Sequence, residues 1–306
     1  MIPSEIKTVL LAGGSGLIGT RLREHLESKN YRVINLTRKA VEPGKGYFHW
    51  DPEKKVIDQE AIKQADILIN LAGTSIADSR WTARQKRKII NSRIFATDLL
   101  TQTLLTTPNK ITAVINASAT GIYGHTDNRI IREESFLATD FLGLTCKRWE
   151  DAAANFKKSG KRLVIFRIGL VLSEDGGFLK PLLKALSFGI APVFGSGEQY
   201  QSWIHIDDLC KMINKAIINE KIEGVYNAVG PCPLSNYNFM KLLTQLKEGN
   251  QLIIKIPAFI MKLIMGEMSA LVLEGTRASS KKIEETEFTF TYPQASYALR
   301  NILHKH

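Results

Sequence analysis

Residues Val9 to Leu22 read VLLAGGSGLIGTRL, an apolar run that breaks into a glycine turn and then resumes with helical spacing. Gly13, Gly16 and Gly19 stand three apart, which predicts a strand, a tight turn and the start of a helix. The first glycine admits the turn and the second lets backbone approach a pyrophosphate. The helix start offers unpaired N–H groups to the negative charge. Gly13, Ser15, Gly16, Leu17 and Ile18 are therefore expected to hold a dinucleotide.

Outward from this turn, KTVLLA, YRVINLT, DILINLA, ITAVINAS and RLVIFRIGLVL alternate with longer segments of helical period. Strands that are apolar throughout are buried on both faces, so the pattern predicts an α/β fold with a Rossmann-type, doubly wound parallel sheet. The core is expected over residues 1–170, with segments 196–230 returning to it. A small α+β C-terminal substrate lobe is expected over 171–306, ending in a unit over about 250–303. The stretch AFIMKLIMGEMSALVL, after Pro257, has too many apolar residues for one face and is expected to pack in the core of that lobe.

The second strand ends in YRVINLTRK, where a protein that binds NAD carries an acid for the ribose 2′-hydroxyl. Arg38 stands there instead, followed by Lys39. A guanidinium grips a 2′-phosphate with two hydrogen bonds, so the expected cofactor is NADP(H). Arg21 is either a second phosphate partner or a helix surface residue.

The 306 residues are 44% hydrophobic and carry a formal charge of +11. Lys and Arg outnumber acids by 22 to 16 before residue 151 and by 19 to 14 after it, so the excess forms no basic tail. The one short basic cluster, RQKRK (84–88), fits a solvated helix face, and no nucleic-acid partner is expected. Cys146, Cys210 and Cys232 lie far apart, which suggests neither a disulfide framework nor a zinc site. The apolar stretch 252–266 is broken by Lys255, Pro257 and Lys262, so no membrane span is expected. With no N-terminal signal recognised, a cytoplasmic location is the expectation.

AGGSGLIG, NLAG (70–73) and SATGIYG (118–124) resemble the extended short-chain dehydrogenase/reductases, the superfamily that includes sugar-nucleotide epimerases. GTSIADSRWT, NSRIFAT, RIGLVLSEDGGFLKPLL, GSGEQYQSWIHIDDL, GVYNAVGPCPLSN, IPAFIMKLIMGEM and FTFTYP narrow the resemblance. Together they are similar to its epimerase-family group of atypical members, with a short C-terminal domain. The resemblance implies a nicotinamide cofactor touched by Leu71, Ala72, Gly73 and Ser118, and a substrate cleft between the two lobes. Pairing of two copies through the helices near 82–106 and 135–158 is also implied by resemblance.

In that superfamily a tyrosine and a lysine four residues later work together: the lysine lowers the tyrosine pKa and holds the ribose, and the tyrosine moves a proton. The segment FLGLTCKRWE (141–150) departs from this. Placing the lysine at Lys147 puts Gly143 at the tyrosine position. Aligning Glu150 with the usual downstream acid puts Cys146 and Leu142 at the two positions. Neither register holds the pair.

Tyr123 and Lys147 are the remaining catalytic candidates, with Tyr123 as the acid. Arg93 stands where extended members carry asparagine and is counted among the cofactor contacts. Arg80, Trp81, Arg167 and Gln201 are the substrate candidates. Gln201 replaces an arginine that holds the diphosphate in sugar-nucleotide enzymes. Arg80 and Arg93 would suit an anionic substrate, or alternatively interlobe salt bridges. In GSGEQYQSWIHIDDL, Asp207 or Asp208 is expected to cap the following helix. The expected function is that of an NADP(H)-binding epimerase- or reductase-like oxidoreductase acting on a small polar substrate. The alternative is a protein that binds NADP(H) without catalysis.

Overall fold

The computed structural model describes residues 6–40, 44–247 and 249–303. β1 (Thr8–Ala12) is buried along its whole length and runs through the glycine turn into α1 (Leu17–Glu27). β2 (Arg32–Thr37), β3 (Tyr47–Asp51), β4 (Val56–Ile57), α2 (Gln59–Gln64) and β5 (Ile67–Asn70) follow. Then come α3 (Ala83–Thr106), β6 (Ala113–Ala119), the two-residue β7 (Ile130–Ile131), α4 (Phe141–Ala154) and β8 (Arg162–Ile168). The chain continues through β9 (Leu170–Leu172), α5 (Leu179–Ser187), β10 (Ile190–Phe194), β11 (Tyr200–Gln201) and β12 (Trp203–His205). It then forms α6 (Ile206–Ile218) and β13 (Gly224–Ala228).

Eight strands form the main sheet in the order β13-β8-β6-β5-β1-β2-β3-β4, parallel except for the β3–β4 pair. Alternating side chains serve its two faces. Val9 and Leu11 pack with Leu22 and Leu26 of α1 and with Leu209 and Ile213 of α6. Leu10 and Ala12 pack on the other side with Leu99 and Leu100 of α3. β1 has β2 on one side and β5 on the other, so chain connections diverge there and leave a crevice at the C-terminal ends of both strands.

The apolar run RLVIFRIGLVL, expected as one strand, is two. β8 stays in the main sheet, whereas β9 pairs with β12. The break lies at Gly169, where a Cβ would come within 2.1 Å of the Ser202 carbonyl oxygen, so the backbone of the second lobe presses directly on it.

The remaining elements are β14 (Leu234–Ser235), α7 (Asn236–Leu246), β15 (Leu252–Ile256), α8 (Ala258–Met265), α9 (Ala270–Leu273), β16 (Arg277–Ala278), α10 (Lys281–Glu284) and α11 (Ala295–Leu303). β15 pairs with β10, and Leu182, Val193, Trp203, Phe239 and Leu299 form a separate core for this lobe. α8 does not pack as expected. Only Met261 is buried, whereas Phe259 is 69% and Leu263 78% exposed. The cap of α6 also differs from expectation: His205 is the N-cap, and its Nδ1 accepts from the Asp207 amide at 3.1 Å. Asp208 instead accepts from the Thr291 and Tyr292 amides, each at 2.9 Å, and so anchors the segment leading to α11.

Candidate cofactor site

A cavity of about 810 Å³ opens at the crevice beside β1. Its floor is the glycine turn, with Gly13, Gly14, Ser15 and Gly16, and its far wall is Leu71, Ala72 and Gly73 at the end of β5. Gly13 takes φ of +89°, and a Cβ there would lie 2.7 Å from the Leu71 carbonyl carbon. The two loops can touch only because that atom is missing.

Asn70 shapes the β5 loop from below. Its amide donates to Thr97 Oγ1 at 3.1 Å and to Asn116 Oδ1 at 2.7 Å, while its Oδ1 accepts from the Ala72 amide at 3.2 Å. Gly16 is the N-cap of α1 and offers no side chain, and the first turn holds no acid, so the amide N–H groups and positive dipole end face the cavity floor uncompensated.

Arg38 and Lys39, at the end of β2, line the outer part of the cavity together with Arg23, Tyr47 and Trp50. Arg23 stacks on the Tyr47 ring at 5.4 Å and pairs with Glu27 at 2.8 Å, which holds this wall in place. Asn35 lies in the same lining, 3% exposed, with neither side-chain amide atom hydrogen-bonded among the described residues. A buried amide in that condition calls for a polar ligand or water. Cationic outer wall, uncapped helix start and orphaned amide all fit a dinucleotide that carries a 2′-phosphate. Asn35, Arg23 and Trp50 escaped sequence reasoning, although a polar residue at the centre of the apolar run RVINLT was the available signal for Asn35.

Among the residues expected at the glycine turn, Leu17 lines a second cavity of about 410 Å³ with Arg21, Glu24, Asp175 and His205. Ile18 lines neither, because it packs on the core. Arg21 is held by Asp207 at 2.7 Å and Glu24 at 3.0 Å.

Beyond Gly73 and Arg93 lies α4, and here the structure separates the expected residues. Leu142, Cys146 and Glu150 follow each other at four-residue spacing, and Cys146 is buried against Ala119 at the end of β6. Lys147, the catalytic candidate expected to contact the ribose or a substrate anion, is instead exposed and pairs with Asp151 at 2.6 Å one turn along. The register anchored on Glu150 is therefore the one that faces the sheet.

Tyr123 and Ser118, expected in the cleft, are 4% and 2% exposed, and both are engaged in a buried network. Glu150 accepts from Ser118 Oγ at 2.6 Å and takes two hydrogen bonds from Arg167, each at 2.8 Å. Arg167 also donates to the Tyr123 hydroxyl at 2.8 Å and to the Glu133 carbonyl at 2.7 Å. Tyr123 in turn donates to Asn227 Oδ1 at 2.7 Å. Burial pushes the Tyr123 hydroxyl up to about 12, against the partial relief offered by Arg167. For Arg167, burial acts to lower the pKa, but the bonds and charge of Glu150 outweigh it and push the value up. Arg167, expected to reach the substrate, is thus 5% exposed and fully engaged.

Of the other substrate candidates, Arg80 reaches α8, whereas Trp81 packs within the first part of the chain. Arg80 donates to the Leu263 and Ile264 carbonyls at the C-terminal end of α8. Trp81 is buried edge-on to Phe141 at 4.8 Å and donates to the Ile76 carbonyl at 2.8 Å. Lys86 of α3 pairs with Glu267 just beyond α8. Gln201 is 5% exposed, and its Oε1 has no hydrogen-bond partner among the described residues. Among the described residues, no grouping of His, Cys, Asp and Glu could hold a metal ion, and no helix is long and apolar enough to cross a membrane.

The model of the NAD dependent epimerase/dehydratase family matches residues 9–228, which take in the whole glycine turn and the parallel sheet. The chain belongs to that family. A second family model, a domain of unknown function (DUF1731), matches residues 256–302 of this family member, from the end of β15 to α11. Epimerase family protein Mb2239 of Mycobacterium bovis is 32% identical, over 95% of this chain and 96% of its own. Epimerase family protein YfhF of Bacillus subtilis is 33% identical, over 96% and 97%. The crystal structure of human epimerase family protein SDR39U1 with NADPH superposes with a TM-score of 0.90 at 28% identity, over 98% of this chain and 100% of that one.

Proposed function

We propose that this epimerase-family protein binds NADP(H) in the cavity beside β1 and acts as a reductase- or epimerase-like oxidoreductase on a small polar substrate. The observation that carries the reading is the outer wall of the cavity, where Arg38 and Lys39 stand in place of an acid next to an orphaned Asn35. The human relative that holds NADPH supports it. Gly13 to Gly16 and the start of α1 would take the pyrophosphate, Arg38 the 2′-phosphate, and Leu71 to Gly73 the inner part of the cofactor. The bound cofactor would supply hydride exchange with the substrate. Asn70 keeps the β5 loop in shape, and Arg80 and Lys86 tie the start of α3 to α8 and Glu267.

A second reading, NADP(H) binding without turnover, is favoured by one specific observation. The Tyr123 hydroxyl is buried between Arg167 and Asn227, and Lys147 points outward, so neither is placed to move a proton in the cleft. Energy transfer from Trp50 to bound NADPH, followed by NADPH oxidation across a panel of carbonyl compounds, separates the two. Binding with turnover supports the first reading, binding without turnover the second, and absence of binding removes both.

A further inference from the structure

We propose that Arg93 replaces the lysine that α4 lacks: it reaches the same place from α3, where its guanidinium holds the nicotinamide-side ribose of NADP(H). The proposal rests on NADP(H) binding as read above.

The lysine position of α4 is taken by Cys146, which is 6% exposed and too short to reach a cofactor. Arg93 fills the space. Its guanidinium lies over the Trp149 ring at 5.0 Å, and a Cβ on Gly73 would sit 3.0 Å from its Cζ. Gly73 and Thr74 line the inner end of the cavity, and the guanidinium lies directly against both. Of the charges around the Cys146 thiol, that of Arg93 bears on it most. A lysine at 146 and an arginine at 93 would bring two like charges into one partly buried place, and the chain keeps only one.

The cation is set up for a ligand. Nη1 donates to the Thr74 carbonyl at 3.0 Å and the Ile89 carbonyl at 2.9 Å, which fixes the plane of the group. Nε and Nη2 have no hydrogen-bond partner among the described residues, and no carboxylate there forms an ion pair with Arg93. Burial lowers its pKa. A guanidinium held in this way, with two donor groups uncommitted, suits hydroxyl acceptors such as a ribose diol and supplies a fixed positive charge beside them. Trp149 and the α3 backbone keep it in place, as the chain of a lysine would be kept by helix packing.

The test compares two probes by calorimetry: NADPH, and adenosine 2′,5′-bisphosphate, which lacks the nicotinamide half. Arg93→Asn is expected to weaken NADPH about tenfold, the loss of one or two charge-assisted hydrogen bonds, and to leave the bisphosphate unchanged. Arg93→Asn combined with Cys146→Lys is expected to recover NADPH affinity to within about threefold of wild type. If the double variant does not fold, Arg93→Lys is expected to bind NADPH more tightly than Arg93→Asn. The proposal is overturned by unchanged NADPH binding in Arg93→Asn, or by equal weakening of both probes. It is also overturned by a folded double variant, or an Arg93→Lys variant, no better than Arg93→Asn. Failure of wild type to bind NADPH would instead overturn the cofactor reading itself, so the two failures are distinct.

Discussion

Arg167, buried, and Arg93, half-buried, flank the same helix, α4, and differ in almost every respect that decides what such an arginine does. Arg167 meets Glu150 through two hydrogen bonds of 2.8 Å and is further tied to Tyr123 and the Glu133 carbonyl. Through Asn227, whose amide donates to the Ser279 carbonyl at 3.1 Å, the cluster continues into the C-terminal segment. Arg93 meets an indole face and two carbonyls but no carboxylate among the described residues. The first arrangement is closed and holds elements together. The second is open, and its charge is left for something that is not protein. A half-buried charge without a counter-ion among the described residues is costly to the fold, and a ligand that pairs with it offsets that cost.

Breaking the closed cluster should produce the largest effect. Glu150→Ala leaves Arg167 buried and unpaired and is expected to lower stability by about 3–5 kcal/mol in denaturant unfolding. Arg93→Met removes an unpaired charge and should stay within about 1 kcal/mol of wild type, so equal costs at the two sites would erase the contrast.

A smaller effect belongs to the Tyr123 hydroxyl. Tyr123→Phe is expected to cost about 1–2 kcal/mol, the loss of a buried hydroxyl between Arg167 and Asn227, with NADPH affinity unchanged. Its raised pKa gives this residue a pH signature. The folded state keeps the Tyr123 proton up to about 12, whereas the unfolded chain releases it near 10. The contribution is therefore complete below pH 10 and is lost as pH rises from 10 towards 12. Tyr123→Phe should flatten that part of the stability profile, and an unaltered slope would show that the hydroxyl is not buried as described.

The smallest effect is on thiol chemistry. Burial pushes both Cys146 and Cys210 up to about 12, the Arg93 charge notwithstanding for Cys146, whereas Cys232 is exposed. In the native protein, Cys232 should react with a thiol reagent while the other two stay protected until unfolding. Fast native labelling of Cys146 would mean that the Arg93 side of α4 is more open than its packing indicates.

Local pattern carried the sheet and the glycine turn, because two-sided burial and the Gly13–Gly16–Gly19 spacing leave direct traces in residue order. The split of RLVIFRIGLVL was not legible, since it arises from Ser202 pressing on Gly169 across 33 positions of sequence. The exposure of α8 was missed for a related reason: apolar composition indicates that a face wants cover, not that the fold provides it. At the site, the replacement of an acid by Arg38 could be read from a single position. The roles of Tyr123, Ser118, Arg167 and Lys147 could not, because they depend on which face of α4 meets β6. That is decided by packing around Cys146 and Trp149, and only the Glu150 register hinted at it.

The most direct test is calorimetric titration of NADPH and NADH into wild type and Arg38→Glu. NADPH should bind wild type at least about tenfold more tightly than NADH, and Arg38→Glu should abolish that preference by losing NADPH affinity while sparing NADH. Equal affinity of wild type for the two cofactors, or a preference that survives Arg38→Glu, would contradict the assignment of the cavity beside β1 to NADP(H).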